Sequence, residues 1–199
     1  MTASTRTGVH ELLRDRWSPR AFSNAPVPAE DLQSLLEAAQ WAASSMNEQP
    51  WRFVMASRHR SRAAFDALLA SLTEKNRAWA QWAPVLVLVA VRSTLERSGA
   101  ANAHAFYDAG QAVAFFTLQA TAAGLSTRQM QGFHVEEARV ACEVPQPFEP
   151  AVVIAVGRAG DPESLTEPSH RAAEQQPRER RGIAEFVFEG TWGQPLGLS

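Results

Sequence analysis

The polar stretch SSMNEQPWRF, residues 44–53, joins the first long helix pattern of the chain to its first strand pattern. Four of its first six residues, 44–49, have hydroxyl or amide side chains, and Asn47 and Gln49 among them offer both donors and acceptors to a polar ligand. Trp51 and Phe53 open the strand pattern, and we expect both rings to point into the core. Taken alone, the same composition also fits a turn that precedes a buried tryptophan, so both interpretations stay open here.

On either side of this stretch, the spacing of apolar residues predicts a mixture of helices and strands. A run that is apolar at every position, from Val85 to Val91, predicts a strand that is buried on both faces at the centre of a sheet. Gly124 follows the longest helix pattern and suits the position just past a helix end. The predicted helices cover residues 5–14, 29–42, 59–72 and 103–123, and the predicted strands cover residues 51–56, 85–91 and 151–156.

The length and the order of these elements favour one mixed domain. The chain has 199 residues, enough for a single domain, which we predict to cover residues 1–199. The strands are few and unevenly spaced, which favours an α+β fold over a doubly wound sheet. The tail from residue 158 to 181 is rich in Pro, Glu and Arg and lacks periodicity. We predict that this C-terminal arm, about residues 158–199, is exposed and wraps around a second copy of the chain.

The charge balance limits the kinds of partner. Lys and Arg total 19 and Asp and Glu total 21, so the formal net charge is −2. Nucleic acids and anionic membranes select proteins with a surplus of positive charge, so neither is expected as a partner. The longest apolar run, residues 83–91, is far shorter than the roughly 20 residues of a membrane-spanning helix. Because the first residues also contain no apolar signal segment, we expect a cytoplasmic protein.

Several common chemical motifs are missing from the sequence. The single cysteine, Cys142, cannot form an internal disulfide and lies in an apolar segment, as a small core residue would. The five histidines are scattered without the spacing of metal ligands, so we expect no metal site. The chain also lacks a dinucleotide-binding G-x-G-x-x-G, a P-loop, a G-x-S-x-G turn and an H-E-x-x-H motif.

Three polar side chains alternate in the segment RWSPRAF, residues 16–22. Pro19 favours an extended backbone before it, and the two-residue period of an extended chain places Arg16, Ser18 and Arg20 on one face. Two guanidinium groups and a hydroxyl on one face can donate several charge-assisted hydrogen bonds to a phosphate. A solvated loop with incidental arginines also fits this spacing.

Two later segments are weaker candidates for a binding site. The stretch from residue 124 to 133 is predicted to be a loop, in which Gly132 would let the backbone approach a ligand closely. A plain connecting loop fits that stretch as well. The run RERR at residues 178–181 is, by itself, typical of a solvated charged surface.

In their order and spacing, these segments resemble the nitroreductase family of FMN-dependent oxidoreductases. Residues 16–22 resemble the R-x-S-x-R-x-F opening of that family, and residues 44–53 resemble its S-x-x-N-x-Q-P-W-x-F signature, the more specific match. The sequence DAG at residues 108–110, the stretch 124–133 and the arginine run 178–181 fit the family as well, so the resemblance covers nearly the whole chain.

The resemblance implies both a fold and an activity. The fold would be a three-layer α/β/α domain with a mostly antiparallel sheet flanked by helices, in an interlocked homodimer with two FMN sites at its interface. The activity would be a ping-pong reaction in which NAD(P)H reduces FMN, and the reduced flavin then reduces a nitroaromatic compound, a quinone or a similar small electron acceptor. Because the flavin would do this chemistry, no side chain is predicted to be catalytic.

The resemblance also implies contacts to the FMN phosphate. Arg16, Ser18 and Arg20 would hold the phosphate directly. Arg178 and Arg180, from the arm, would add positive charge near it.

Seven further residues would contact the flavin ring. Four hydroxyl and amide residues would come from the other subunit: Ser44, Ser45, Asn47 and Gln49. Asn76 would meet the pyrimidine edge of the flavin, and Gln131 and Gly132 fall where family members offer backbone N–H groups to the flavin N5.

Three other functions remain open from the sequence. The protein could bind flavin without turnover, as a storage or sensor protein. It could use the flavin for another reaction, such as dehalogenation or fragmentation of the flavin itself. It could also be an interaction module that binds no flavin, with the arm as its binding element.

Overall fold

The computed structural model describes residues 8–197 of the chain. Its centre is a four-stranded sheet in which every pair of neighbouring strands is antiparallel. The strands are β1 (Trp51–Ser57), β2 (Val85–Arg92), β3 (Ser126–Met130) and β4 (Phe148–Gly157). Their spatial order is β1-β2-β4-β3. The continuous apolar run in β2 therefore lies at the centre of the sheet, and Val85–Val91 is buried throughout, as predicted.

Helices cover both faces of this sheet. The helices are α1 (Glu11–Asp15), α2 (Ala29–Gln40), α3 (Arg62–Ala70), α4 (Glu74–Ala80), α5 (Ala105–Ala122), α6 (Val135–Ala141) and α7 (Pro168–Gln175). Alternate residues of β2 enter different cores, because successive side chains of a strand point to opposite faces. Val87 packs with α2 and α5, whereas Leu86 packs with α3, α4 and α6. The predicted three-layer α+β architecture is confirmed.

The junctions around the longest helix follow from local chemistry. α5 ends at Ala122, and Gly124 follows with φ +68°, a conformation that glycine adopts without strain. Trp51 is buried, and Phe53 is partly buried against the same core and stacks on Phe116 with ring centroids 5.7 Å apart. Both rings at the start of β1 therefore point inward, as expected.

Several predicted boundaries are wrong, and the reasons are physical. The stretch 124–133 is not a simple loop, because Ser126–Met130 forms the edge strand β3. Its sequence, STRQM, is mostly polar, so pairing with β4 rather than hydrophobic patterning makes it a strand. The helix predicted over 59–72 is shorter and is followed by α4, whose seven residues are too few to show a clear helical period.

The two ends of the chain also differ from the predictions. The arm does not lack structure between residues 158 and 181, because α7 forms there and buries His170 and Glu174. Both buried residues are polar, so the helix carries no apolar pattern. The first helix begins at Glu11 rather than residue 5, and residues 5–7 lie outside the described part of the chain. Between residues 8 and 197, no helix is both long and apolar enough to cross a bilayer.

Candidate functional site

Residues 16–22, which follow α1, carry the side chains that are predicted to bind the phosphate. Arg16 Nη1 donates a hydrogen bond to Ser18 Oγ at 2.8 Å, so these two side chains lie together, as their spacing predicts. Pro19 is buried, and Phe22 stacks on Trp79 with ring centroids 6.2 Å apart. The buried residues anchor the segment, which leaves its polar side chains at the partly exposed surface.

A third arginine reaches this segment from the sheet. Arg128, in the middle of β3, donates a hydrogen bond to the backbone carbonyl of Ser18. Its guanidinium group also lies over the ring of Trp79, 5.4 Å from the centroid. Sequence reasoning missed Arg128 because its segment was predicted to be a loop. Thr127 is buried and Arg128 is half-buried in the fold, but the sequence STRQM has no apolar alternation that would have identified the strand.

The arm brings two more arginines to the same place. Arg178 donates hydrogen bonds to the backbone carbonyls of Arg14 and Arg16, and its guanidinium lies 5.7 Å from the ring centroid of Trp17. Arg180 is exposed, and its charge acts on Arg16. We call the resulting group the arginine cluster; its members are Arg16, Arg20, Arg128, Arg178 and Arg180.

The pKa values of the cluster report how crowded these cations are. Burial lowers the pKa of Arg16, and repulsion from Arg180 and Arg178 lowers it further. Burial also lowers the pKa of Arg128 to about 10, with a further contribution from Arg20, while Glu174 acts in the opposite direction. Cations that are desolvated and repel each other are stabilised by a bound anion. The donor set therefore fits a phosphate, which accepts several charge-assisted hydrogen bonds at once.

The predicted ring contacts Asn76 and Gly132 are also brought together. Asn76 Nδ2 donates a hydrogen bond to the Gly132 carbonyl at 3.0 Å, and Thr73 Oγ1 donates to the same oxygen at 3.1 Å. A Cβ at position 132 would lie 2.7 Å from Asn76 Nδ2, so this close approach requires glycine. Gln131 precedes Gly132 just after β3 and is exposed.

This second group lies close to the arginine cluster. His170, buried in α7, has a pKa lowered first by its burial and then by the charge of Arg20, with smaller contributions from Lys75 and Arg128. The guanidinium of Arg128 in β3 also lies over Trp79, which belongs to α4, the helix that carries Asn76. The two groups of predicted residues therefore border one region of the molecule.

The hydroxyl and amide stretch forms a tight loop before β1. A 3₁₀ turn covers Ser45–Asn47, and the φ angles of Met46, Asn47 and Gln49 are +52°, +57° and +45°. Ser44 Oγ accepts a hydrogen bond from the Gln49 backbone N–H at 3.1 Å. Left-handed backbone at residues other than glycine costs free energy and is concentrated at functional sites.

Within one chain this loop lies far from the arginine cluster. β1 and β3 are the two edges of the sheet, which places about 14 Å of sheet between them. Through the pairing registers, Trp51 aligns with Glu149 of β4 and Arg128 aligns with Ala155, a further offset of about 20 Å along the strands. The four residues Ser44, Ser45, Asn47 and Gln49 are therefore not part of the same site as the arginines of their own chain.

Comparison with known proteins agrees with this geometry. The sequence model of the Nitroreductase family matches residues 13–158, which include residues 16–22, the polar loop at residues 44–49 and β3. The chain belongs to the nitroreductase family.

Individual relatives of this nitroreductase-family chain are moderately similar. A crystal structure of an oxidoreductase containing FMN superposes with a TM-score of 0.88 at 32% identity, covering 96% of each chain. An uncharacterised 15.4 kDa protein of Mycolicibacterium smegmatis is 34% identical over 128 residues, 64% of this chain and 84% of that protein. A Xanthomonas oryzae protein with the provisional name NADH dehydrogenase/NAD(P)H nitroreductase is 29% identical over 174 residues, 78% of this chain and 86% of that protein.

Proposed function

We propose that this nitroreductase-family protein is an FMN-dependent oxidoreductase. It takes hydride from NAD(P)H and passes it, by a ping-pong mechanism, to nitroaromatic compounds, quinones or similar small electron-poor acceptors. The observation that carries this proposal is the arginine cluster around Ser18, because its donors fit the phosphate of a flavin mononucleotide. The similar oxidoreductase that contains FMN and the nitroreductase name of the Xanthomonas relative support the cofactor and the hydride donor.

The residues of the cluster would divide the work of holding the phosphate. Arg16, Ser18, Arg20 and Arg128 are the direct donors in this proposal, and Arg178 fixes the backbone of the segment through the carbonyl of Arg16. When bound, FMN supplies the hydride-accepting and hydride-donating chemistry that the side chains lack. The protein contributes orientation and a positive potential at the phosphate end.

The amide at position 76 and the backbone after β3 would orient the flavin ring. The hydrogen bond from Asn76 Nδ2 to the Gly132 carbonyl holds the plane of the side-chain amide. Its carbonyl oxygen is an acceptor for an N–H group of the flavin pyrimidine edge. Backbone N–H groups at Gln131 and Gly132 would donate hydrogen bonds to the flavin N5, so this contact needs no charged side chain.

The site would be completed by a second chain in a homodimer. Ser44, Ser45, Asn47 and Gln49 would contribute to the partner's flavin site, which explains why they lie so far from the arginines of their own chain. Exposed apolar side chains lie in and near this loop: Met46 belongs to it, and Phe106 and Tyr107 precede Asp108, which contacts Ser45; the three are 75%, 60% and 72% exposed. Contiguous exposed apolar residues of this size mark interfaces.

The arm would have two parts in this dimer. Residues up to Arg178 pack on their own chain through α7, Glu174 and the contacts to Arg14 and Arg16. The last part, where Phe186 and Trp192 are 61% and 91% exposed, would embrace the partner. The arm predicted at residues 158–199 therefore begins as part of its own subunit.

An absorption spectrum tests the proposed function directly. The purified protein is expected to be yellow, to lose its flavin absorbance when NADH or NADPH is added without oxygen, and to regain it with a nitroaromatic compound or a quinone. Sedimentation analysis of the same sample should give twice the mass of one chain. Yellow protein that neither nucleotide bleaches would favour storage or sensing, and colourless protein that releases no flavin on denaturation would overturn the proposal.

A further inference from the structure

α7 places one buried carboxylate against the phosphate-binding segment. Glu174 Oε1 accepts a hydrogen bond from the backbone N–H of Arg20 at 2.8 Å, across 154 residues of sequence. The same oxygen lies 3.8 Å from Arg20 Nη1, and only 3% of the Glu174 side chain is exposed. A carboxylate buried to this extent needs partners, and here they are the backbone and side chain of a single residue.

The sign of this charge is unexpected beside a site for an anion. The effect of Glu174 on the neighbouring cations explains why a negative charge lies here. Burial and the charge of Arg20 lower the pKa of Arg128, and Glu174 counteracts this lowering. His170, one turn earlier in α7, is also buried, and its pKa is lowered, so it adds no positive charge at neutral pH. α7 thus presents a single negative group to the cluster, aimed at the backbone of Arg20.

We propose that Glu174 is a positioning residue for phosphate binding. Its hydrogen bond fixes the backbone at Arg20, and its ion pair, 3.8 Å from Arg20 Nη1, holds the guanidinium of Arg20 within the arginine cluster, where the charge of Arg20 acts on Arg128. This role rests on the proposed flavin function. It implies that the first half of the arm contributes to phosphate binding and not only to the dimer contact. Without this bond, Arg20 would keep its positive charge, but its backbone would no longer be held in position beside the arginine cluster.

Two variants separate the hydrogen bond from the charge. Glu174→Gln keeps an acceptor oxygen of the same reach and removes the charge, whereas Glu174→Ala removes both. Loss of a charged, buried hydrogen bond corresponds to about tenfold in an equilibrium constant. We expect Glu174→Ala to weaken FMN about tenfold and Glu174→Gln to restore most of that loss. Glu179→Ala is the matched control, because it removes a carboxylate from the exposed arm beside the cluster.

Riboflavin, which has the ring of FMN but no phosphate, shows whether the effect is local. Fluorescence titration of flavin-free protein with both ligands should show that Glu174→Ala weakens FMN and leaves riboflavin unchanged. Equal losses for both ligands, no loss for FMN, or equal behaviour of the Gln and Ala variants would each overturn the proposal.

Inorganic phosphate keeps the proposal testable if flavin does not bind. The parent protein and Glu174→Gln should melt at a higher temperature in phosphate than in chloride at equal ionic strength, and Glu174→Ala should gain less. If neither flavin binds to the parent, the proposed function fails, and the phosphate series still decides the role of Glu174. Equal rises in melting temperature in all three proteins, or no rise in the parent, would contradict the positioning role of Glu174.

Discussion

The carboxylate of Asp108 holds the polar loop through Ser45: its Oδ2 accepts a hydrogen bond from the Ser45 backbone N–H at 3.0 Å. Asp108 is only 2% exposed and lies in the first turn of α5, where the helix dipole favours a negative charge. The loop has left-handed backbone at Met46, Asn47 and Gln49, so it needs an anchor to stay in this conformation. Asp108 supplies that anchor from the core.

Replacing Asp108 by alanine should destabilise the protein. The partly buried N–H of Ser45 would lose its charged acceptor, which costs about 1–3 kcal/mol. The free energy of unfolding in urea measures the loss. Asp66→Ala is the control, because the ion pair of Asp66 with Arg62 is exposed and should contribute less than about 1 kcal/mol. Equal losses in the two variants would show that Asp108 is not an anchor.

Replacing Arg16 by alanine should weaken FMN. A charge-assisted hydrogen bond to phosphate contributes about 1.5–3 kcal/mol, or roughly ten- to hundredfold in affinity. Flavin release from the purified variant, followed by titration with FMN, measures the change. Arg97→Ala removes an exposed arginine elsewhere and should bind FMN like the parent. Unchanged affinity in Arg16→Ala would remove Arg16 from the proposed site.

Replacing Gly132 by alanine should break the contact between Asn76 and the turn after β3. The new Cβ would lie 2.7 Å from Asn76 Nδ2 and 2.9 Å from Thr73 Oγ1, so both donors must move away from the carbonyl that they share. We expect a loss of about 1–3 kcal/mol in the free energy of unfolding. Gly8→Ala is a suitable control, since a Cβ there meets no atom within 4 Å. A loss no larger than that of the control would contradict the clash.

The stability of the protein should fall on mild acidification because of His170. The pKa of His170 is lowered by burial and by Arg20, Lys75 and Arg128, and Glu167 opposes this only partly. The unfolded chain therefore takes up a proton first, near pH 6.5, and stability is lost as the pH falls from about 6.5 towards the lower pKa of the folded state.

The variant His170→Gln isolates this contribution. Melting temperatures between pH 7.5 and pH 5 (about one unit or more on either side of the ordinary histidine pKa) should fall less steeply in His170→Gln than in the parent. His104→Gln, at an exposed position, should keep the slope of the parent. Identical slopes in all three proteins would show that His170 does not titrate differently on folding.

Local patterns were sufficient to predict the parts of the fold that apolar burial decides. The run from Val85 to Val91 identified the central strand, and Gly124 identified the end of α5, because each feature follows from a few neighbouring residues. The spacing of Arg16, Ser18 and Arg20 predicted that they share one face, and the first two side chains are in contact. Single-domain organisation and a cytoplasmic location stay predictions.

Contacts between distant polar residues could not be predicted in this way. β3 is a strand because it pairs with β4, and α7 packs through His170 and Glu174, so neither has an apolar pattern to recognise. Arg128 contacts the backbone of Ser18, and Glu174 contacts the backbone of Arg20, each across more than a hundred residues of sequence. Long-range partners of this kind become visible only when the chain is folded.

The wide separation between the polar loop and the arginine cluster has a genetic consequence. If each pocket takes its loop from one chain and its arginines from the other, a chain damaged at Arg16 and a chain damaged at Asn47 would each be inactive alone. Expressed together, the two chains would form heterodimers in which one pocket has an intact polar loop from one chain and intact arginines from the other. Recovery of activity on co-expression would reveal such complementation between two defective alleles.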